Sequence, residues 1–316
     1  MNLKLVPDNT NIGFVRMRYL AFGLTLLLTI GSIALLATRG LNLGVDFRGG
    51  LTMETQFASP PPLDRLRIEV DSLGVGQAAL QEFGNARTIL IRLPLPDGDQ
   101  AAVQRVVAKV QADLKGKYPG VGFRRTESVS GKVSDELIQK GALAVLLSMA
   151  AVALFTWFRF EWYFGVSTVV ALVHDVIVTM GFFALTQLEF DLNVVAAVLT
   201  IIGYSLNDKV VIDDRIRENL RKYRSMDIGH IIDLSVNETL PRTVMTSLAM
   251  IVALTAMLLL GPNVIFGFTA AMLLGIVVGT YSSIFVSSSL LISLGVKSRA
   301  APAETRGGAE RVVRAK

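Results

Sequence analysis

Asp208 lies in a stretch, 192–213, otherwise apolar enough to be a helix inside a hydrocarbon layer, and Arg242 follows Pro241 at the start of another, 243–261. An ionisable side chain in such a helix costs on the order of 2.5–3.5 kcal/mol on insertion scales, so each one requires a partner or a role. A carboxylate facing a guanidinium in a low-dielectric bundle has two stable arrangements. Ionised, Asp208 pairs with Arg242; protonated, it releases the arginine and sheds most of its desolvation cost. The placement predicts a site that converts proton binding into helix movement, driven by about 2.3 kcal/mol for each charge crossing 100 mV. The plainer alternative is a static pair that ties two helices together.

Other polar residues share these apolar stretches. His174 and Asp175 sit near the middle of 163–186, and Ser205, Asn207, Lys209, Asp213 and Asp214 crowd the inner half of the stretch that holds Asp208. At 3.6 residues per turn Ser205, Asp208 or Lys209, and Ile212 fall on one face. These residues are either steps of a proton path or hydrogen bonds between helices. Lys209 can satisfy Asp213 four residues on, or compete for Asp208. In the last stretch Gly267, Ala271, Gly275, Gly279, Ser283 and Ser287 recur every four residues. Such a ridge of small side chains lets another helix approach closely, one of this chain or of a partner. After the first stretch comes Gly44-Val-Asp46-Phe-Arg48-Gly49-Gly50, read either as a glycine turn that needs positive φ or as a hinge that takes part in movement.

Six stretches must carry these residues. About 20 apolar residues of helix cross a hydrocarbon core of about 30 Å, and the stretches lie at 18–38, 138–158, 163–186, 192–213, 243–261 and 265–294. Of the 316 residues, 52% are hydrophobic and only 18% charged, which excludes both an ordinary water-soluble enzyme and a disordered chain. The first stretch is longer than the apolar core of a secretory signal and lacks a small-residue cleavage site, so it is read as a retained anchor. Orientation follows Lys and Arg in the short loops. The N-terminus carries Lys4, Arg16 and Arg18, the basic loop 214–242 carries Arg215, Arg217, Arg221, Lys222, Arg224 and Arg242, and the tail 295–316 carries Lys297, Arg299, Arg306, Arg311, Arg314 and Lys316. All three regions are expected on the cytoplasmic side (N-in and C-in), where they orient helices and touch anionic lipid head groups. The net charge of +5 thus belongs to a membrane face and not to nucleic-acid binding. The tail, rich in Ala, Gly and Arg, is expected to be disordered.

Residues 39–136 form the one large piece outside the membrane, expected on the periplasmic side. Leu51–Phe57 alternates like a strand, Pro60-Pro61-Pro62 opens a helix to about Ser72, and strands at 77–83 and 87–93 flank the turn Gly84-Asn85. Gly98 and Asp99 start a second helix, with Val103, Val106, Val107 and Val110 on one face, and 121–129 gives a last strand. Strand, helix, strand, strand, helix, strand is the order of an α+β ferredoxin-like domain. The fold class is a polytopic α-helical membrane protein with six transmembrane helices and this domain between the first and second.

Whole classes of chemistry are absent. With no cysteine there is no thiol catalysis, cysteine-ligated zinc or iron–sulfur cluster. No Walker-type glycine loop, H-E-x-x-H or arranged nucleophile is found, and His174 and His230 are too few and too separated for a metal site. No enzymatic activity, cofactor or metal is expected.

The motifs, taken in order, resemble a known family. They are Gly44-Val-Asp46-Phe-Arg48-Gly49-Gly50, His174-Asp175-Val176, Gly203-Tyr-Ser-Leu-Asn-Asp208 with Asp214-Arg-Ile-Arg-Glu-Asn219, Arg242-Thr-Val-Met-Thr-Ser247, and Gly279-Thr-Tyr-Ser-Ser-Ile-Phe285. Over nearly its whole length the chain resembles the SecF family of protein-export membrane subunits, within SecD/SecF and the resistance-nodulation-division (RND) superfamily. The resemblance implies half of an RND-like membrane set, with SecD as the obligate second half and the small protein YajC and the SecYEG channel as further partners. In the bacterial inner membrane, proton-motive force would drive late export of unfolded preproteins on the periplasmic side. Asp208 and Arg242 match the family positions implicated in proton conduction. This chain departs from the family at Lys209, where a threonine is usual, and at Asp213, where a large apolar or aromatic residue is usual. Two other readings stay open: a self-sufficient RND-type exporter of a small molecule or lipid, and a non-conducting scaffold of the translocase.

Overall fold

The computed structural model describes residues 7, 10–96 and 100–296. Lys4, the expected helix start at Gly98-Asp99, and the tail from Lys297 lie outside the described residues. Six helices are long and apolar enough to cross a membrane: Val15–Thr38, Gly131–Arg159, Trp162–Thr186, Leu192–Lys222, Ile228–Leu260 and Phe266–Ser293. The first is a short 3₁₀ turn leading into α1 (Arg18–Thr38); α2 (Val45–Arg48) is a single turn after it. The other spans are α5 (Gly131–Arg159), α6 (Trp162–Thr186), α7 (Leu192–Lys222), α8 (Ile228–Leu260), and α9 (Phe266–Tyr281) continuing into α10 (Ser288–Ser293).

Local chemistry sets several helix ends. The Ser130 hydroxyl accepts from Val133 N–H to begin α5, and Asp191 and Asp227 carboxylates accept from Val194 and Gly229 to begin α7 and α8, each satisfying a backbone donor that the first turn leaves free. Gln187 ends α6 in the left-handed region at φ 55°. α6, α7 and α9 form the buried centre. α1 and α5 lie outside it, with Leu20 77% and Phe158 86% exposed, as side chains facing lipid or another chain would be.

Three helices differ from the apolar stretches. α5 starts seven residues before 138. α7 continues to Lys222 and α8 starts at Ile228, so the expected basic loop 214–242 shrinks to 223–227. The reason is amphipathic continuation: beyond the apolar stretch Ile212 and Ile216 of α7 still pack against Ile232 and Val236 of α8, and a helix needs only one apolar face. Phe14 joins that cluster, and the chain before α1 is fastened to α8 where Asn237 accepts from Ile12 N–H at 3.0 Å and donates back to its carbonyl at 2.8 Å. The last span is not one α-helix. Ser282–Ser287 is a π-helical turn between α9 and α10.

Between α1 and α5 the chain forms β1 (Gly50–Gln56), α3 (Leu63–Asp71), β2 (Ala79–Phe83), β3 (Asn85–Leu93), α4 (Gln100–Lys117) and β4 (Gly122–Val129). The strands make one antiparallel sheet in the order β2-β3-β1-β4, with Met53 opposite Ile91 and Thr126. Alternation gives the sheet two faces. Leu51, Met53, Ile89 and Ile91 pack against Leu66, Val70, Val110 and Leu114 of the two helices. Thr52, Glu54, Leu90 and Arg92 fall on the other face, which borders the loop between α6 and α7 and the start of α9.

Candidate functional site

α7 carries the densest set of polar residues in the bundle. Ser205, Asp208, Lys209, Ile212 and Asp213 are all buried on one face of it, whereas Asn207 is exposed on the other. Lys209 is fully buried at 0% exposure and Asp175 of α6 is at 1%. Lys209 Nζ lies 3.1 Å from Asp175 Oδ2 and 3.1 Å from Ser282 Oγ of the π-helical turn, and it also donates to Ser205 Oγ. All three ammonium protons are thereby used. Asp175 Oδ2 further accepts from Ser205 at 2.6 Å and Ser282 at 2.9 Å, while Oδ1 is 3.3 Å from His174 Nδ1. One carboxylate–ammonium pair, padded by two hydroxyls, therefore ties α6, α7 and the last span together. In hydrocarbon, with no water to compete, such a pair persists only with this completeness of hydrogen bonding.

Lys209 thus takes neither of its expected partners, Asp213 or Asp208. The counter-ion is Asp175, on another helix. Asp213 instead accepts from the Thr168 hydroxyl of α6 at 3.3 Å, and Asp214 pairs with Arg159 of α5 at 2.9 Å. Asp208 is 4% exposed, and its Oδ2 has no hydrogen-bond partner; Thr243 Oγ1 of α8 lies beside it, buried and outside hydrogen-bonding geometry. Arg242 of α8 is exposed, near enough for its charge to act on Asp208, yet no ion pair joins the two among the described residues. The two side chains thus stand apart, which is one of the two arrangements expected of them. His174 Nε2 is likewise buried without a partner. The structure thus holds one saturated charge pair and, one residue along α7, a carboxylate with an unoccupied oxygen.

The small-residue ridge faces inward, to α7. A Cβ at Gly267 would lie 3.3 Å from Val194, one at Gly275 would collide with Ile201, and one at Gly279 would lie 2.9 Å from Ser205 Oγ; Ala271 is fully buried in the same cluster. The four-residue spacing stops at the π-helical turn. There Ser282, not Ser283, reaches Asp175, Ser283 donates to the Gly279 carbonyl, and Ser287 turns to Ser167 of α6. Sequence reasoning missed Ser282, Thr168, Thr243 and Arg159. The only signal was the doublet Ser282-Ser283, because a π turn shifts the face by one residue.

At the other end of α7, Gly49 and Gly50 have φ of 70° and 125°, conformations that a side chain rarely adopts. Gly44 does not; its requirement is space, since a Cβ there would sit 2.9 Å from Glu189 Oε1. Asp46 Oδ2 accepts from Leu192 N–H at 3.0 Å, capping the first turn of α7, while Arg48 is exposed. No group of three His, Asp or Glu is placed to hold a metal among the described residues.

A polytopic helical bundle with a buried charge pair, a lone buried carboxylate and an inserted α+β unit defines a membrane protein of the transport type. Family comparison makes this specific. Residues 109–297 match the family described as protein export membrane protein SecD/SecF, C-terminal, and residues 34–61 match the SecD/SecF GG motif. Among curated relatives, a protein translocase subunit SecF of Cereibacter sphaeroides is 39% identical over 314 residues, covering 98% of this chain and 97% of its own length. One of Rickettsia akari is 40% identical over 290 residues, covering 92% and 94%. Among solved structures, SecDF of Thermus thermophilus, described as a translocon-associated membrane protein, matches with a TM-score of 0.82 at 33% identity. That match covers 91% of this chain and 39% of the SecDF chain. SecDF in a super-membrane-facing form matches at 0.67 with 32% identity, over 90% of this chain. The chain belongs to the SecD/SecF family of protein-export membrane proteins.

Proposed function

We propose that this chain is an auxiliary subunit of the Sec protein-export machinery that, together with SecD, uses the proton-motive force to promote late translocation and release of preproteins on the periplasmic side. The observation that carries the proposal is the buried carboxylate of Asp208, its Oδ2 without a hydrogen-bond partner, in a chain similar to SecF subunits over nearly their whole length. Arg242 lies close enough to respond to its charge. The matched SecDF chain is much longer than this one, which is why a separate SecD is proposed as the second half. SecYEG and YajC are the further partners of this reading. The α+β unit, with its element order and strand order β2-β3-β1-β4, is read as a ferredoxin-like domain on the periplasmic side. The bacterial inner membrane is the setting that kinship with SecF subunits supports, and the distribution of Lys and Arg supports both termini being cytoplasmic.

Protons enter the reading at one atom. Asp208 Oδ2 accepts a proton, the charge that Arg242 senses disappears, and the contact between α7 and α8 is free to change. Asp175 and Lys209 keep α7 registered against α6 meanwhile. The test is export of a secreted reporter in cells whose only copy is wild type or Asp208→Asn, with membrane levels and SecD co-purification measured in parallel. Loss of export with intact assembly supports the proposal. Unchanged export removes it and leaves the scaffold reading.

A further inference from the structure

The sheet is fastened to the start of α7 by an unbalanced set of charges. Residues 40–46 and 187–192 run side by side: Gly44 N–H donates to Phe190 O and Phe190 N–H to Asn42 O, both at 2.8 Å, and Asp46 caps Leu192. Across this seam Arg92 of β3 reaches Glu189 at 2.9 Å and donates to Asn42 Oδ1 at 3.1 Å and Gln81 Oε1 at 3.4 Å. Asp46, Glu189 and Asp191 converge there, and Glu54, Glu82, Glu127 and Arg125 line the adjoining cavity of about 310 Å³. Glu54 and Glu127 have their own arginines, Arg124 and Arg125. Among the described residues Arg92 is the one cation paired with Glu189, and neither Asp46 nor Asp191 has an ion pair of its own.

We infer that Glu189, paired with the Arg92 guanidinium, and its neighbours Asp46 and Asp191 form a latch that protons close, holding the sheet against the first turn of the helix that carries Asp208. The sign follows from the surroundings. Burial pushes the Glu189 carboxyl up, and Asp191 and Asp46 add to this against the pull of Arg92; burial pushes Asp191 up as well. A carboxyl whose affinity for protons is raised in the closed arrangement and ordinary when solvated binds protons preferentially when closed. Acid therefore favours the closed latch, and deprotonation favours release. Arg92 and Glu189 are positioning residues for coupling α7 to the sheet. Only the consequence, that protons arriving on the periplasmic side close the latch, rests on the proposed function.

The chain has no cysteine, so spin labels at Gln104→Cys on α4 and Leu185→Cys on α6, both exposed, report the distance across the seam in the full-length protein in bilayers. In the wild type the short-distance population is expected to grow as pH falls from neutral toward the ordinary carboxylate range. Glu189→Gln, which mimics the protonated acid, is expected to stay short and lose most of the pH response. Arg92→Gln is expected to be long at neutral pH and to shorten on acidification. A structural ion pair would lengthen the distance in both variants equally, and that result overturns the inference, as does a wild-type distance that ignores pH. Asp208→Asn is expected to keep the wild-type pH response, so failure of the export reading is separable from failure of the latch.

Discussion

Neutralising one member of the Asp175–Lys209 pair tests the energetic role assigned to it. In Asp175→Asn the Lys209 ammonium stays fully buried and keeps only the hydroxyls of Ser205 and Ser282. Breaking a buried pair in this way costs ~3–5 kcal/mol. At ~2.1 cal/mol/K of unfolding entropy per residue, 316 residues shift by ~1.5 °C per kcal/mol, so the melting temperature of the full-length protein in detergent should fall by roughly 4–8 °C. Lys209→Met alone strands the Asp175 carboxylate, which still accepts from Ser205 and Ser282, and should cost a similar or smaller amount. The double variant leaves no charge behind and should recover most of the loss, because a neutral replacement of a buried pair is often close to neutral overall. Thermal unfolding of the four proteins forms a double-mutant cycle whose coupling should exceed ~2 kcal/mol. Single losses below ~1 kcal/mol, or a double variant as unstable as the two losses summed, would refute the assignment.

Three other outcomes follow from particular contacts. Asp214→Asn removes a pair whose side chains are both more than 40% exposed, so its stability should change by no more than ~1 kcal/mol; a loss as large as that of Asp175→Asn in the same melting assay contradicts the contrast. Gly275→Ala places a Cβ against Ile201 and should cost ~1–3 kcal/mol by overpacking, whereas Gly203→Ala meets open space and should cost nothing; equal melting temperatures would count against the inward-facing ridge. In the α+β unit, burial raises the Glu69 carboxyl, but hydrogen bonds from Arg65 and Tyr118, with Lys117 nearby, bring it below its ordinary value. The stability this supplies is present above the ordinary glutamate value and lost as pH falls through the lowered one, so Glu69→Gln should flatten the acid side of the stability–pH curve, and an unchanged curve shows the contact to be idle.

What could be read from one sequence depended on the range of the interaction. The spans were legible because hydropathy is local, and the buried face of α7 because Ser205, Asp208, Lys209 and Ile212 recur at helical spacing. The alternation of Leu51, Met53 and Phe57, and of Ile89 and Ile91, gave the strands of the sheet. The partner of Lys209 was not legible. A single sequence exposes pairs at i+3 and i+4, so Asp208 and Asp213 were the visible choices, whereas Asp175 is 34 residues away on a helix whose rotation nothing in the sequence fixes. The loop at 214–242 was overestimated because a charged helix with one apolar face looks polar to a hydropathy window. The π-helical turn left no period of its own, so the approach of Ser282, beside the ridge position Ser283, to Asp175 was not legible. At the seam, Asp46 was visible as a motif residue, but Arg92 and Glu189 meet only through the tertiary fold.

The coupling of Asp208 to the proton gradient is tested most directly in inverted membrane vesicles that contain SecD and either wild type or Asp208→Asn, assayed for completion of preprotein translocation with the gradient imposed and collapsed. Wild-type vesicles are expected to lose their stimulation when the gradient is collapsed, and Asp208→Asn vesicles are expected to stand at the collapsed level under both conditions. Full stimulation of the Asp208→Asn vesicles by the gradient would contradict the role given to this carboxylate.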